Sequence, residues 1–164
     1  MPKTADATNA ELVSWALGRL NDRDLAALRG FWADDVVERF PDRTCRGADE
    51  LTRYFQEAFA AMPDWHMESL GVAESGDDVL VRWRLTGTHS GPLMGIEPTG
   101  RRVVIDGMDH AVVRGGRLVS NFVVFDQMQY AREIGMLPAD GSGADRALKW
   151  LFNARTRVAA KLRG

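Results

Sequence analysis

The chain has one cysteine, Cys45, in 164 residues, so neither an internal disulfide framework nor a cysteine-based zinc cluster can be built from it. Its histidines, His66, His89 and His110, show no metal-ligand spacing, and no metal site is expected. No segment approaches the ~18 consecutive apolar residues of a membrane span, and the start of the chain lacks the apolar run of a signal peptide. Charge of one sign is also missing: 21 Lys and Arg stand against 23 Asp and Glu, a net charge of −2. That balance argues against nucleic acid and against a membrane as partners. There is no glycine-rich phosphate loop, no Gly-x-Ser-x-Gly and no His-Glu-x-x-His, so no cofactor is expected. A cytoplasmic, soluble protein fits these absences best.

What is present is an ordinary folding composition, 45% hydrophobic and 27% charged, with patterns that change period along the chain. Thr8 and Glu11 have capping-box spacing before Leu12, Trp15, Ala16 and Leu20, which predicts a helix near 9–20. A second short helix carries Leu25, Leu28 and Trp32, and 36–40 reads as a brief edge strand ended by Pro41. Leu51, Tyr54, Phe55, Ala58, Phe59 and Met62 form the clearest apolar stripe, on a helix that Pro63 stops. From Trp65 the period becomes 2, and 65–74, 78–88, 101–113 and 117–127 read as four antiparallel strands. Val79, Val81, Trp83 and Leu85 share one face, while Arg82, Arg84, Thr86 and Thr88 share the other. The expected fold class is α+β, a curved antiparallel sheet wrapped around one long helix, and such a cone leaves a cleft for a small molecule. Past Pro138 a Gly- and Ser-containing linker leads to an amphipathic helix with Ala147, Leu148, Leu151, Phe152, Val158 and Leu162 on one face. The domain is therefore placed at 9–137, with 138–164 as linker and tail helix.

The polar residues that fall beside such a cleft are Asp106, Asp109, His110, Asn121 and Asp126, with His89 in the preceding loop. A carboxylate and an imidazole in an apolar cone suffice for proton transfer, because desolvation raises a carboxyl pKa toward neutrality. Trp15, Tyr54, Phe55, Phe59 and Trp83 are the candidate aromatic wall, with Met108, Phe122 and Val124 as further substrate-contacting positions. Two alternatives stay open. A two-residue turn at Gly115-Gly116 puts Asp109 on the face of Phe122, Val124 and Asp126, whereas a bulged three-residue turn puts His110 there. Asp126 also has capping-box spacing to Gln129, so a helix cap competes with an acid/base role.

The stretch Gly87-Thr88-His89-Ser90-Gly91-Pro92-Leu93-Met94-Gly95-Ile96-Glu97-Pro98-Thr99-Gly100-Arg101 resembles the SnoaL-like polyketide cyclases. So do Gly107-Met108-Asp109, Gly116-Arg117-Leu118-Val119, Val124-Phe125-Asp126-Gln127 and Ile134-Gly135. The resemblance spans roughly Glu11 to Leu137. It implies the cone-shaped fold shared with nuclear transport factor 2, ketosteroid isomerase and limonene epoxide hydrolase. It further implies a cofactor-free aldol closure of an apolar carbonyl substrate, with Asp126, at the position of the family's last-strand aspartate, as acid/base. His89 or His110 would polarise the carbonyl, and Asp109-His110 is similar to the Asp-His pair of ketosteroid isomerase. Ser120-Asn121-Phe122 departs from the acidic residue and tryptophan that many relatives carry before that aspartate. The polar, threonine-containing sheet face and the detached tail helix lead to the expectation of a homodimer; a non-catalytic binding or assembly domain and an epoxide hydrolase-like enzyme are the competing functional classes.

Overall fold

The structure is a computed structural model that describes residues 7–162; the N-terminal stretch read above as lacking a signal sequence lies mostly outside the described residues. The chain begins with α1 (Asn9–Asn21), α2 (Leu25–Phe31), β1 (Trp32–Arg39), β2 (Thr44–Arg46) and α3 (Gly47–Ala61). It continues with the meander β3 (His66–Ser75), β4 (Asp78–Thr88), β5 (Arg102–Arg114) and β6 (Arg117–Phe125), then α4 (Gln127–Glu133) and α5 (Gly143–Lys161). The six strands form one curved open sheet in the order β2-β1-β6-β5-β4-β3, an α+β architecture with an added C-terminal helix.

The capping box that opens α1 is formed: Thr8 Oγ1 accepts from the Glu11 N–H at 3.2 Å, and the Thr8 N–H donates to Glu11 Oε2 at 2.9 Å. At the other end Asn21 clamps α1 to β3, donating to the Met67 carbonyl at 2.8 Å and accepting its N–H at 2.7 Å. The helix of the apolar stripe, α3, buries Leu51, Phe55, Ala58 and Phe59 against the concave face of the sheet and ends at Met62, one residue before Pro63. Phe55 sits in an aromatic cluster, stacked on Trp32 with ring centroids 6.0 Å apart and edge-on to Phe40 at 6.0 Å.

Two expectations are corrected, and one open alternative is resolved. Trp32 does not end the second helix but opens β1, where its side chain turns into the core beside Phe55. The short strand is not an edge piece: β1 lies between β2 and β6 and pairs parallel with β6, so the sheet is mixed. β1 buries Val36 and Glu38 at alternate positions, with Phe40 just beyond its end, because one of its faces is turned to the core. The register at the last hairpin is a combination of the two alternatives. Gly115 and Gly116 form a two-residue turn with φ of 56° and 74°, pairing Arg114 with Arg117. Val113 then pairs with Leu118 but Val112 with Ser120, so Val119 is an extra residue in β6. This bulge places His110 opposite Phe122 and Asp109 opposite Val123.

Among the described residues no helix is long and apolar enough to cross a membrane. Helix α5 starts at an N-cap, Ser142, whose hydroxyl accepts from the Asp145 N–H, and then runs clear of the domain. Trp150 and Phe152 are 69% and 68% exposed on it.

Candidate active site

The alternation of β-strand side chains sorts the candidates onto two faces. On the concave face the strands present Val79, Val81, Trp83 and Leu85 from β4, Ile105, Gly107, Asp109 and Ala111 from β5, and Asn121, Val123 and Phe125 from β6. Trp83, Leu85, Ile105, Asp109, Ala111, Asn121, Val123 and Phe125 of this face, with α1, α2 and α3, line a cavity of about 1020 Å³ of empty space including its opening to solvent. Its wall is aliphatic and aromatic, and it contains two acidic side chains, Glu38 and Asp109, and one carboxamide, Asn121.

These three polar residues form one network. The Asn121 side-chain amide donates to Glu38 Oε1 at 3.0 Å and to Asp109 Oδ2 at 3.1 Å, bridging the two carboxyls. The other Asp109 oxygen accepts the Trp83 indole N–H at 2.8 Å. Parallel pairing of Glu38 with Asn121 and the bulge at Val119 bring these side chains to the same face. Gly107 makes the Trp83 contact possible: a Cβ on Gly107 would lie 2.2 Å from the indole ring, so only glycine leaves room for it there.

Burial raises the pKa of both carboxyls, by different amounts. Glu38 is pushed up to about 8, first by burial and then by the nearby Asp109 charge, against the lowering effect of the Asn121 hydrogen bond. Asp109 rises to about 6 through burial, opposed by its hydrogen bonds from Asn121 and Trp83. Two carboxyls both raised by burial and bridged by one amide favour holding a shared proton, an arrangement that acid–base catalysis can use. The buried Cys45 pairs with Glu38 across β1 and β2, and burial pushes its thiol up to about 11, which leaves it unreactive at neutral pH.

The other sequence candidates fall elsewhere. Asp126 is exposed and caps α4, its Oδ1 accepting the N–H groups of Met128 at 2.9 Å and Gln129 at 3.0 Å. It borders an open depression with Arg101, Gln129 and Arg132, outside the cavity, so its expected place in the cleft is corrected. The capping box is incomplete, because the Gln129 side chain donates to the Val104 carbonyl instead. His110 is on the convex face, bonded through Nε2 to Asp78 Oδ1 at 2.6 Å, and Asp106 is there too, gripped by Arg84 at 2.6 and 2.9 Å. Met108, Phe122 and Val124, expected in the wall, are 44%, 43% and 42% exposed on that convex face: the bulge turns Phe122 and Val124 outward, and the regular β4–β5 pairing sets Met108 beside the outward Arg82. His89 is fully buried with its pKa lowered by burial. It closes the loop between β4 and β5, its Nδ1 3.2 Å from Thr99 Oγ1 and its backbone bonded to Arg101 and Gly100, but it does not line the cavity.

Of the aromatic candidates, Tyr54, Phe55 and Trp83 line the cavity. Trp15 packs edge-on to Phe31 at 6.0 Å, and Phe59 packs between Phe55 and Trp65; both support the wall from outside. Glu38 was not anticipated, although its signal is present: in Val36-Val37-Glu38-Arg39-Phe40 the acid alternates with two apolar residues on one face, the pattern of a buried-side carboxyl.

The curved six-strand sheet closed over the helices defines a cone-shaped fold with an internal cavity, and the comparisons find the same fold. The family model for SnoaL-like polyketide cyclases matches residues 10–134, and the chain belongs to that family. Among solved structures, IdmH from Streptomyces antibioticus, described as a candidate polyketide cyclase, is 25% identical with a TM-score of 0.70, over 79% of this chain and 99% of its own. AclR from Streptomyces galilaeus, described as a candidate hydroxylase, is 25% identical with a TM-score of 0.68, over 77% of this chain and 95% of its own. TsrD from Streptomyces laurentii, at 20% identity, shares the fold with a TM-score of 0.72 over 80% of this chain and 100% of its own. No curated protein sequence is significantly similar to the chain. Helix α5 lies beyond the family match.

Proposed function

We propose that the protein catalyses cofactor-independent acid–base chemistry, an aldol-type cyclisation or isomerisation of an apolar carbonyl substrate, with Asp109 as base and Glu38 as acid. The observation that carries this reading is the Asn121 amide bridging two buried carboxyls in an otherwise apolar cavity. Asp109 takes a proton from a carbon flanked by carbonyls; the free O–H of Glu38 donates to the oxygen on which negative charge develops, then protonates the alkoxide after ring closure. Exchange with solvent restores both carboxyls. One such group contributes ~10²–10⁴-fold, enough for a carbon acid already activated by two carbonyls. The role that the family resemblance gave to Asp126 passes to Asp109, because Asp126 is spent on the α4 cap and faces solvent.

The test is hydrogen–deuterium exchange at the activated carbon of a neutral bicyclic β-diketone, followed by NMR in D₂O. Catalysed exchange should follow a bell-shaped pH profile with limbs near about 6 and about 8. A rate that climbs steadily through both values would count against the pair and leave the cavity as a binding site only.

We also propose that 9–137 is the catalytic domain, 138–164 an appendage, and that the protein is a homodimer. Support comes from the convex face of the sheet, where Leu80, Met108, Phe122 and Val124 leave an exposed apolar patch. Light scattering giving a monomer mass at working concentration would end that reading.

A further inference from the structure

Three buried polar atoms in the cavity wall make no hydrogen bond to any described residue: the Tyr130 hydroxyl, the Trp65 indole N–H and Asn121 Oδ1. Buried polar groups are nearly always paired, because an unpaired one forfeits its hydration without return. Tyr130 is 4% exposed and fixed by its neighbours, with its ring edge-on to Phe125 at 6.3 Å and to His89 at 6.4 Å. Trp65 is held edge-on to Phe59 at 5.8 Å. The Tyr130 ring is not free to swing its hydroxyl into solvent at low cost, and Trp65, a part-buried residue, keeps its indole N–H itself buried.

Register places these donors away from the two carboxyls. Asp109 and Asn121 lie toward the hairpin end of the concave face, whereas Tyr130 follows Phe125, opposite Gly107, and Trp65 precedes Met67, opposite Leu85 and Ile105. The cavity therefore has an acid–base end and a second end with two hydrogen-bond donors, separated by aliphatic and aromatic wall. No Lys, Arg or His lines it among the described residues, so a carboxylate or phosphate would enter a carboxyl-bearing cavity with no counter-ion.

We infer that Tyr130 and Trp65 are the substrate-orienting anchors of this cavity, holding oxygen atoms at the far end of an uncharged, oxygenated ring system. The inference rests on the proposal that the cavity is the substrate site, but it concerns binding and not proton transfer. Recognition by otherwise unpaired donors is also how a site selects oxygen over hydrocarbon, since the unoxygenated analogue leaves those donors unsatisfied.

The experiment is calorimetric titration of 7-hydroxy-1-tetralone and of tetralin, its hydrocarbon frame, into the full chain and into Tyr130→Phe and Trp65→Phe. All titrations are repeated in an Asp109→Asn background, so that loss of the acid–base reading leaves the binding result intact. Each substitution should weaken the oxygenated ligand by roughly 2- to 12-fold, the usual worth of one hydrogen bond, and leave tetralin unchanged. Because Tyr130→Phe removes only an unpaired hydroxyl, the ligand-free melting temperature should hold or rise. The inference is overturned if wild type does not prefer the oxygenated ligand, or if either variant weakens both ligands equally. It is also overturned if both variants keep the wild-type preference, or if Tyr130→Phe melts lower.

Discussion

The concave and convex faces of the β5–β6 hairpin are made from alternate residues of the same few turns of sequence, yet they differ in kind. On the concave face Asp109 is buried, holds two hydrogen bonds and has its pKa raised; on the convex face the next residue, His110, pairs in the open with Asp78. Asp106, three residues earlier, is the mirror case: Arg84 holds its carboxyl below the usual range. The same residue type is thus a reactive acid/base candidate or a solvated salt bridge according to its parity. The unbroken β4–β5 register, with Asp109 opposite Val81 and Asp106 opposite Arg84, decides which is which, and the extra residue at Val119 then brings Asn121 to the face of Asp109.

The contrast can be broken or sharpened by substitution. After removal of the base Asp109 itself, the largest expected effect is from Glu38→Gln, which removes the acidic proton and keeps the shape: catalysed exchange should fall by about 10²-fold, the lower range for a general acid. The same variant should change the pH dependence of stability. Glu38 is protonated in the folded chain up to about 8, against 4.5 as its ordinary value, so the folded state binds the extra proton between them. Stability therefore falls as pH rises through that window, and chemical denaturation of Glu38→Gln at a series of pH values should show a flatter decline. Next is Gly107→Ala, which drives a methyl into the Trp83 ring; overpacking of this kind costs about 1–3 kcal/mol and should release the indole from Asp109, read as a lower melting temperature and an altered tryptophan emission. Asp126→Ala removes the α4 cap and should cost about 0.5–2 kcal/mol in denaturant unfolding with turnover retained. Smallest is His110→Gln on the convex face, within about 0.5 kcal/mol of wild type in the same assay.

Much of this was readable from periodicity. The apolar stripe on α3 and the alternation Val79, Val81, Trp83, Leu85 located the core, and the capping box at Thr8 located the first helix within a residue, because burial and capping act locally. The family resemblance was borne out as well. The site was less legible. Phe122 and Val124 look like wall residues on parity alone, but the bulge that reverses their parity has no strong local signature in Leu118-Val119-Ser120. Glu38 is not legible locally because a short strand ended by Pro41 reads as an edge strand; its parallel pairing with β6 depends on contacts 83 residues apart, as in the Asn121–Glu38 bond. Asp126 had both of its readings visible in sequence, and the cap geometry is what the structure contains.

The most direct test of the account compares Asp109→Asn with Asp126→Asn in the same carbon-acid exchange assay, each checked for native fold by circular dichroism. The account predicts a loss of ~10²–10⁴-fold for Asp109→Asn and a rate within about twofold of wild type for Asp126→Asn. The reverse order, with Asp126→Asn inactive and Asp109→Asn unimpaired, would contradict it.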